Sequence, residues 1–282
     1  MNIMQDEYTN SKIPGGISKD NRRLLDLLNR KQKEPFKISD AVEILGISYH
    51  KASRLLAYWA SRGWLTRVRK GLYITVPLGT ISPAERKEDP WIIAAQIFEP
   101  CYIGGWSACE HWGLTEQIFK DIVVFTSHIV RKRKIPIQNT LYIIKVVQKE
   151  KLFGTNIVWR QQTKVRISDP TRTLIDILDD PSIGGGMRHI AEVVRQYFEG
   201  EYRDEAKLLE YMKRLNNRTV YKRLGYVIET LNLKFPYIIE TCRLNLSKGY
   251  STFDPTVSAK GRFLRRWNLR VNVTIEPENR NQ

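Results

Sequence analysis

AVEILGISYHKASRLLAYWASRGWLTRVRKGLYITV, residues 41–76, decides the fold of the N-terminal third of this chain. Ala41, Val42, Ile44 and Leu45 recur at the spacing that places apolar side chains along one face of a helix. Ser39 reads as its N-cap and Gly46 as its stop, because glycine enters the left-handed conformation without a Cβ clash. A further helix starts at Ser48, with Ala52, Leu55, Leu56 and Trp59 facing inward. Two short helices joined by a tight turn that opens on glycine are the sequence form of a helix-turn-helix. Next, Trp64, Thr66 and Val68 alternate with Leu65, Arg67 and Arg69, a turn falls at Lys70-Gly71, and Leu72–Val76 runs back to Pro77. That is a β-hairpin closed at a glycine turn.

Upstream, SKDNRRLLDLLNRKQ offers Ser18 as a cap and Leu24, Leu25, Leu27 and Leu28 as an apolar face. Three helices followed by a hairpin give a winged helix-turn-helix over residues 18–79. The outer side of the third helix carries Ser48, Tyr49, His50, Lys51, Ser53 and Arg54. These polar and basic groups sit at the N-terminal end, where a recognition helix meets base edges and backbone. Arg67, Arg69 and Lys70 cluster at the tip of the hairpin, within reach of phosphates or the minor groove. The bland alternatives are a solvated helix face, or a winged helix used to bind protein.

Charge favours the nucleic-acid reading. Lys and Arg number 46 against 30 Asp and Glu, a net charge of +16. Residues 1–80 carry 14 basic and 7 acidic side chains (net +7), 81–180 carry 14 and 12 (+2), and 181–282 carry 18 and 11 (+7). Two basic ends flank a nearly neutral middle, which suits a polyanionic partner. With 282 residues the chain is long enough for two domains, and its 42% hydrophobic and 27% charged residues suit a globular fold. No apolar run is long enough to span a bilayer, so no membrane partner is expected. The first residues lack the apolar core of a signal peptide, and three cysteines form no paired framework. Both features predict a reducing, cytoplasmic setting.

Residues 1–17 read as a flexible lead-in, 80–90 as a polar, proline-containing linker, and 91–282 as a larger mixed α/β domain, for an α+β class overall. Within it, 121–127 and 140–147 read as strands joined by RKRKIPIQN. Arg131, Lys132, Arg133 and Lys134 on that connection are either a second basic contact or a solvated loop tip. Strands are also expected around Ile157–Trp159 and Val165–Ile167. A helix follows, capped by Asp169 with Pro170 at its first position and Leu174, Ile175, Ile177 and Leu178 as its core face. Helices at MRHIAEVVRQYFEG, DEAKLLEYMKRL and TVYKRLGYVIETL precede strand-like pieces around SKGYSTFDP and WNLRVNVTIE.

One stretch imitates an active site. YIGGWSACEHWGLTEQ, residues 102–117, gathers Ser107, Cys109, Glu110 and His111. Ser107 suits an N-cap with Glu110 as its capping-box partner, and adjacent Glu110 and His111 diverge by about 100° on a helix. Cys109 has no basic neighbour at helical spacing to lower its pKa. Asp169, Asp176, Asp179 and Asp180 are better used as helix entry and exit than as metal ligands. Gly184-Gly185-Gly186 precedes a helix without the Lys-Ser/Thr of a P-loop and reads as a flexible turn. No catalytic residue, metal or cofactor is expected.

Taken in order, GWLTRVRKGLYITVP, YIGGWSACEHWGLTEQIF, SDPTRTLIDILDDPSIGGGMRH, TVYKRLGYVIE and GRFLRRWNLRVNV resemble the AbiEi antitoxins of bacterial type IV toxin–antitoxin and phage-defence systems. The resemblance runs from about residue 20 to about residue 275. It implies a winged helix-turn-helix that binds repeats in double-stranded operator DNA and represses its own operon; because repressors meet inverted repeats as symmetric pairs, such repeats and self-association on that DNA are expected as well. It also implies a C-terminal domain that opposes an AbiEii-like nucleotidyltransferase toxin without a stable complex. The competing expectation is a winged-helix transcriptional regulator whose C-terminal domain senses a ligand or resembles a nuclease.

Overall fold

The computed structural model describes residues 18–32, 35–76 and 88–276. The chain divides into two compact units, Met1–Glu88 and Asp89–Gln282. The expected lead-in, most of the expected linker and Pro77 lie outside the described residues.

The N-terminal unit is a winged helix-turn-helix. Helix α1 spans Lys19–Lys31, α2 Ile38–Leu45 and α3 Tyr49–Ser61. Strands β2 (Leu65–Arg69) and β3 (Leu72–Thr75) form the hairpin. A two-residue strand β1, Phe36–Lys37, adds to β3 on its other edge, giving an antiparallel sheet in the order β1-β3-β2. Two residues are too few to show an alternating pattern, which is why β1 was not legible beforehand. Leu25, Leu28, Phe36, Ala41, Leu56, Trp59, Leu65 and Tyr73 make the core. Ser18 caps α1 through its hydroxyl, and Gly46 ends α2 at φ 64°.

Two local expectations are corrected here. Ser39 is not the cap of α2; Lys37 holds that position, and its backbone N–H donates to the Asp40 carboxylate at 2.8 Å. An ionised acceptor outcompetes a hydroxyl for the free N–H groups of a first turn. The strict alternation read for the first hairpin strand also fails. A bulge between Arg67 and Arg69 leaves Val68 without a cross-strand partner and buries it together with Leu65, while both arginines stay exposed.

In the C-terminal unit α4 (Pro90–Phe98) leads into β4 (Cys101–Ile103), α5 (Gly105–His111), β5 (Ile122–Thr126), β6 (Lys134–Ile137) and β7 (Thr140–Val146). The hairpin of β8 (Thr155–Arg160) and β9 (Thr163–Ser168) completes a six-stranded sheet in the order β6-β7-β5-β4-β9-β8. β5 and β7 run parallel, as do β4 and β9; the other pairs are antiparallel. The chain then turns helical: α6 (Pro170–Asp179), α7 (Met187–Glu199), α8 (Glu205–Leu215), α9 (Arg218–Thr230) and α10 (Pro236–Leu244). It closes with β10 (Ser251–Thr252), β11 (Arg262–Leu264) and β12 (Leu269–Val271) in a small sheet ordered β10-β12-β11.

Helix α6 is the axis of this unit, and every residue from Pro170 to Leu178 is buried. A helix buried all round must satisfy its polar side chains internally. Thr171 bonds Tyr197, and Arg172 pairs with Asp176 at 2.9 Å while Tyr102 donates to Asp176 at 2.9 Å. Arg223, itself buried, donates to the carbonyls of Leu178, Asp179, Thr252 and Phe253. It thereby closes the C-terminal end of α6 and fastens it to β10. Gly225, in TVYKRLGYVIE of α9, leaves the space that the Trp267 ring fills.

Two further readings change. RKRKIPIQN is not a plain connection, because β6 begins at Lys134 and pairs with β7; Arg131–Arg133 remain an exposed loop. Gly184–Gly186 is not a loose turn. Gly184 packs against Ile177 and Ile190, and Met187 N–H at the start of α7 donates to the buried Asp254 carboxylate at 2.8 Å. A carboxylate supplied by the chain thus occupies the helix end that a P-loop would offer to phosphate. Helix α10 was not among the expected elements; it buries Ile238 and Cys242, one turn apart.

Candidate nucleic-acid interface

Helix α3 is held by one face and presents the other. Ala52, Leu56 and Trp59 are fully buried, whereas His50, Arg54 and Tyr58 point away from them at i, i+4 spacing. Tyr49 and Lys51 are exposed beside this ridge, and Ser53 is half-buried at its margin. The Ser48 hydroxyl accepts the Lys51 N–H at 3.4 Å. Its first role is therefore to cap the helix, which leaves its donor proton for a ligand. The free N–H groups of the first turn add partial positive charge at the same end.

The wing supplies more cations. Arg67, Arg69 and Lys70 are exposed around the turn, where Gly71 adopts φ 83°. The bulge described above lets Leu65 and Val68 both face the core while the arginines stay in solvent. From Ile44 to Ala84 the sequence holds six Lys and Arg (Lys51, Arg54, Arg62, Arg67, Arg69, Lys70) and no Asp or Glu. Among the described residues none of the six has an ion-pair partner. Cations left unpaired on a rigid helix and hairpin are what a polyanion needs.

Sequence reasoning missed the far end of this surface. Tyr58 is exposed, meets Trp64 edge-on at 5.8 Å, and lies 5.4 Å beneath the Arg62 guanidinium. The i, i+4, i+8 series from His50 through Arg54 to Tyr58 was the available signal, since it continues the outward face past the residues first singled out.

The imitation active site does not assemble. α5 starts at Gly105 with Gly104 as its cap, so Ser107 is inside the helix rather than its cap. The Ser107 hydroxyl is buried, accepting from Val123 N–H at 3.1 Å and facing the Asp121 carbonyl at 3.4 Å. Glu110 accepts the Phe119 N–H at 3.5 Å instead of closing a capping box. The Cys109 thiol is fully buried, and burial pushes its pKa up, the opposite of an activated thiol. His111 packs against the rings of Trp91 and Trp112, and burial, with Arg160 nearby, pulls its pKa down.

The aspartates also go separate ways. Asp169 caps α6 by accepting from Arg172 N–H at 2.8 Å, and also meets Tyr211 and Lys207. Asp176 is the buried partner of Arg172 and Tyr102; burial raises its pKa against the pull of Arg172. Asp179 accepts from Asn217, and Asp180 pairs with Lys145. Among the described residues no group of three or more His, Cys, Asp and Glu side chains is placed to hold a metal ion. Nor, among them, is any helix long and apolar enough to cross a membrane. Arg131, Lys132 and Arg133 are exposed in the loop before β6, with Lys134 at its first position.

Residues 23–76 match a family described as transcriptional regulator, AbiEi antitoxin. The matched span runs from the second turn of α1 to just past β3, most of the winged helix-turn-helix. It supports the resemblance to AbiEi antitoxins that the ordered motifs carry. No curated protein matches the chain.

Proposed function

We propose that the N-terminal unit binds double-stranded operator DNA and that the chain represses its own operon as the antitoxin of a type IV system. In this reading α3 enters the major groove, with His50, Arg54 and Tyr58 toward the bases and Tyr49, Lys51 and Ser53 at the groove walls. Arg67, Arg69 and Lys70 hold the flanking backbone. The observation that carries the reading is the unbroken acid-free stretch from Ile44 to Ala84, whose six cations are without ion-pair partners among the described residues. Two protomers meeting inverted repeats would double the contact. The exposed loop Arg131–Arg133 and Lys134 are assigned a supporting role at the backbone.

The C-terminal unit is assigned the opposition to a nucleotidyltransferase-like toxin, exerted without a stable complex. Two assays on the full chain test this division. Expression from the chain's own promoter measures repression, and survival with a co-expressed toxin gene measures protection. Arg67→Ala with Arg69→Ala should release the promoter and keep protection. Loss of both together would show that protection depends on DNA binding, and a promoter still silenced would remove the wing from the reading.

A further inference from the structure

The C-terminal sheet presents a second basic surface, of a different kind. From Asn245 to Ile275 the sequence holds six Lys and Arg and one acid, Asp254, which is buried at the start of α7. One face of the sheet packs inward through Leu269 and Val271. Cross-strand partners share a face, so Phe263, Arg270 and Thr252 occupy the other. Phe263 is 58% exposed, and the ring of Tyr250, 49% exposed, meets it edge-on at 4.8 Å. The Arg270 guanidinium lies 4.8 Å from the Phe263 centroid and donates to the Ala259 carbonyl at 3.5 Å, and the next residue in the chain, Lys260, is exposed. Lys248, Arg262 and Arg265 are exposed on the same segment. Arg266 is not available, because it pairs with Glu229 at 2.6 Å.

We propose that this face binds single-stranded nucleic acid, with Phe263 and Tyr250 stacking on unpaired bases and Arg270 and Lys260 holding the phosphates. A duplex hides the faces of its bases, so exposed rings among cations have little to offer it. An unpaired base offers a planar face that needs no hydrogen bond from the protein. An acidic peptide would meet the cations but leave the rings in water. The arrangement here differs from the wing, where the cations accompany no exposed ring at the tip.

The test is an anisotropy titration of the full chain with a short fluorescein-labelled oligouridylate, and in parallel with promoter duplex. Phe263→Ala should weaken oligouridylate binding roughly 5- to 150-fold, the range lost when one base stack is removed. Phe263→Trp should retain it, and duplex affinity should hold in both variants. Arg67→Ala with Arg69→Ala should do the reverse. Phe263 is exposed and carries no core packing; should Phe263→Ala nevertheless misfold by circular dichroism, Tyr250→Ala reads the same loss. Unchanged oligouridylate affinity would overturn the proposal. So would an equal fall for oligouridylate and duplex, which would assign the face to duplex binding, or a dimer lost in Phe263→Ala with nucleic-acid binding intact, which would assign it to a second copy of the chain.

Discussion

Replacing Arg67 and Arg69 by alanine tests the wing through the salt dependence of binding, which separates phosphate contact from shape. Both side chains are exposed, neither has an ion-pair partner among the described residues, and both flank a bulge whose apolar anchors, Leu65 and Val68, are untouched. The fold should therefore survive. Each phosphate neutralised on B-form DNA contributes about 0.9 to the slope of log K against log salt. With Arg54 turned to the bases, if the other five cations of the acid-free stretch contact phosphate, the slope per protomer is about 4.5, and affinity falls roughly 500-fold from 50 to 200 mM salt. Removing two contacts lowers the slope to about 2.7 and the fall to roughly 40-fold. At 0.1 M salt the double variant should bind roughly 60-fold more weakly than wild type, and at 0.3 M about 9-fold more weakly. Anisotropy titrations of promoter duplex across that salt range give both lines. Parallel lines would refute the reasoning, because a loss that ignores salt is not a loss of phosphate contacts.

The remaining predictions concern what holds the C-terminal unit together. Gly225→Ala should destabilise the chain by about 1–3 kcal/mol or more in urea melts, since the new Cβ would overlap the Trp267 ring and meet Cys242 Cβ at 3.0 Å. Adding Trp267→Phe should recover part of that loss; strict additivity would mean the two sites do not touch. Arg223→Met should cost about 3 kcal/mol or more because it strands four carbonyl acceptors, and Arg223→Lys should restore little, as one ammonium cannot span them. Burial raises the Asp176 carboxyl from 3.8 to about 6, so the native chain holds that proton more tightly than the unfolded chain. Its contribution is complete below pH 3.8 and is lost as pH rises through about 6. Asp176→Asn should accordingly gain on wild type by about 1–3 kcal/mol between pH 4 and pH 7. A gap between the two melts that stays flat over this range would contradict it.

Much of the fold was legible before any coordinates, and for local reasons. Helices announce themselves by period and by ends: Ser18 and Ser48 at the caps, Gly46 at a left-handed stop, Asp169 with Pro170 opening α6. The hairpin at Lys70-Gly71 was readable from its glycine turn, and β5, β7, β8 and β9 from short runs rich in β-branched and aromatic residues. The outward ridge of α3 followed from its inward one.

Competition and long-range pairing were decided only by the tertiary structure. Ser39 and Ser107 both look like caps in sequence; Lys37 and Gly104 hold the positions, because the winner depends on where the preceding strand delivers the chain. A bulge at Val68 overrode simple alternation because Leu65 and Val68 both had core to fill. Tyr102 reaches Asp176 across 74 residues, and Asp254 reaches Met187 across 67. No period or spacing reports such pairs, since a buried polar group takes whatever partner the packing brings within reach. The same holds for Gly225 and Trp267, and for Phe263 beside Arg270 and Tyr250: the sequence determined which residues were present, and the packing of distant segments determined which of them meet.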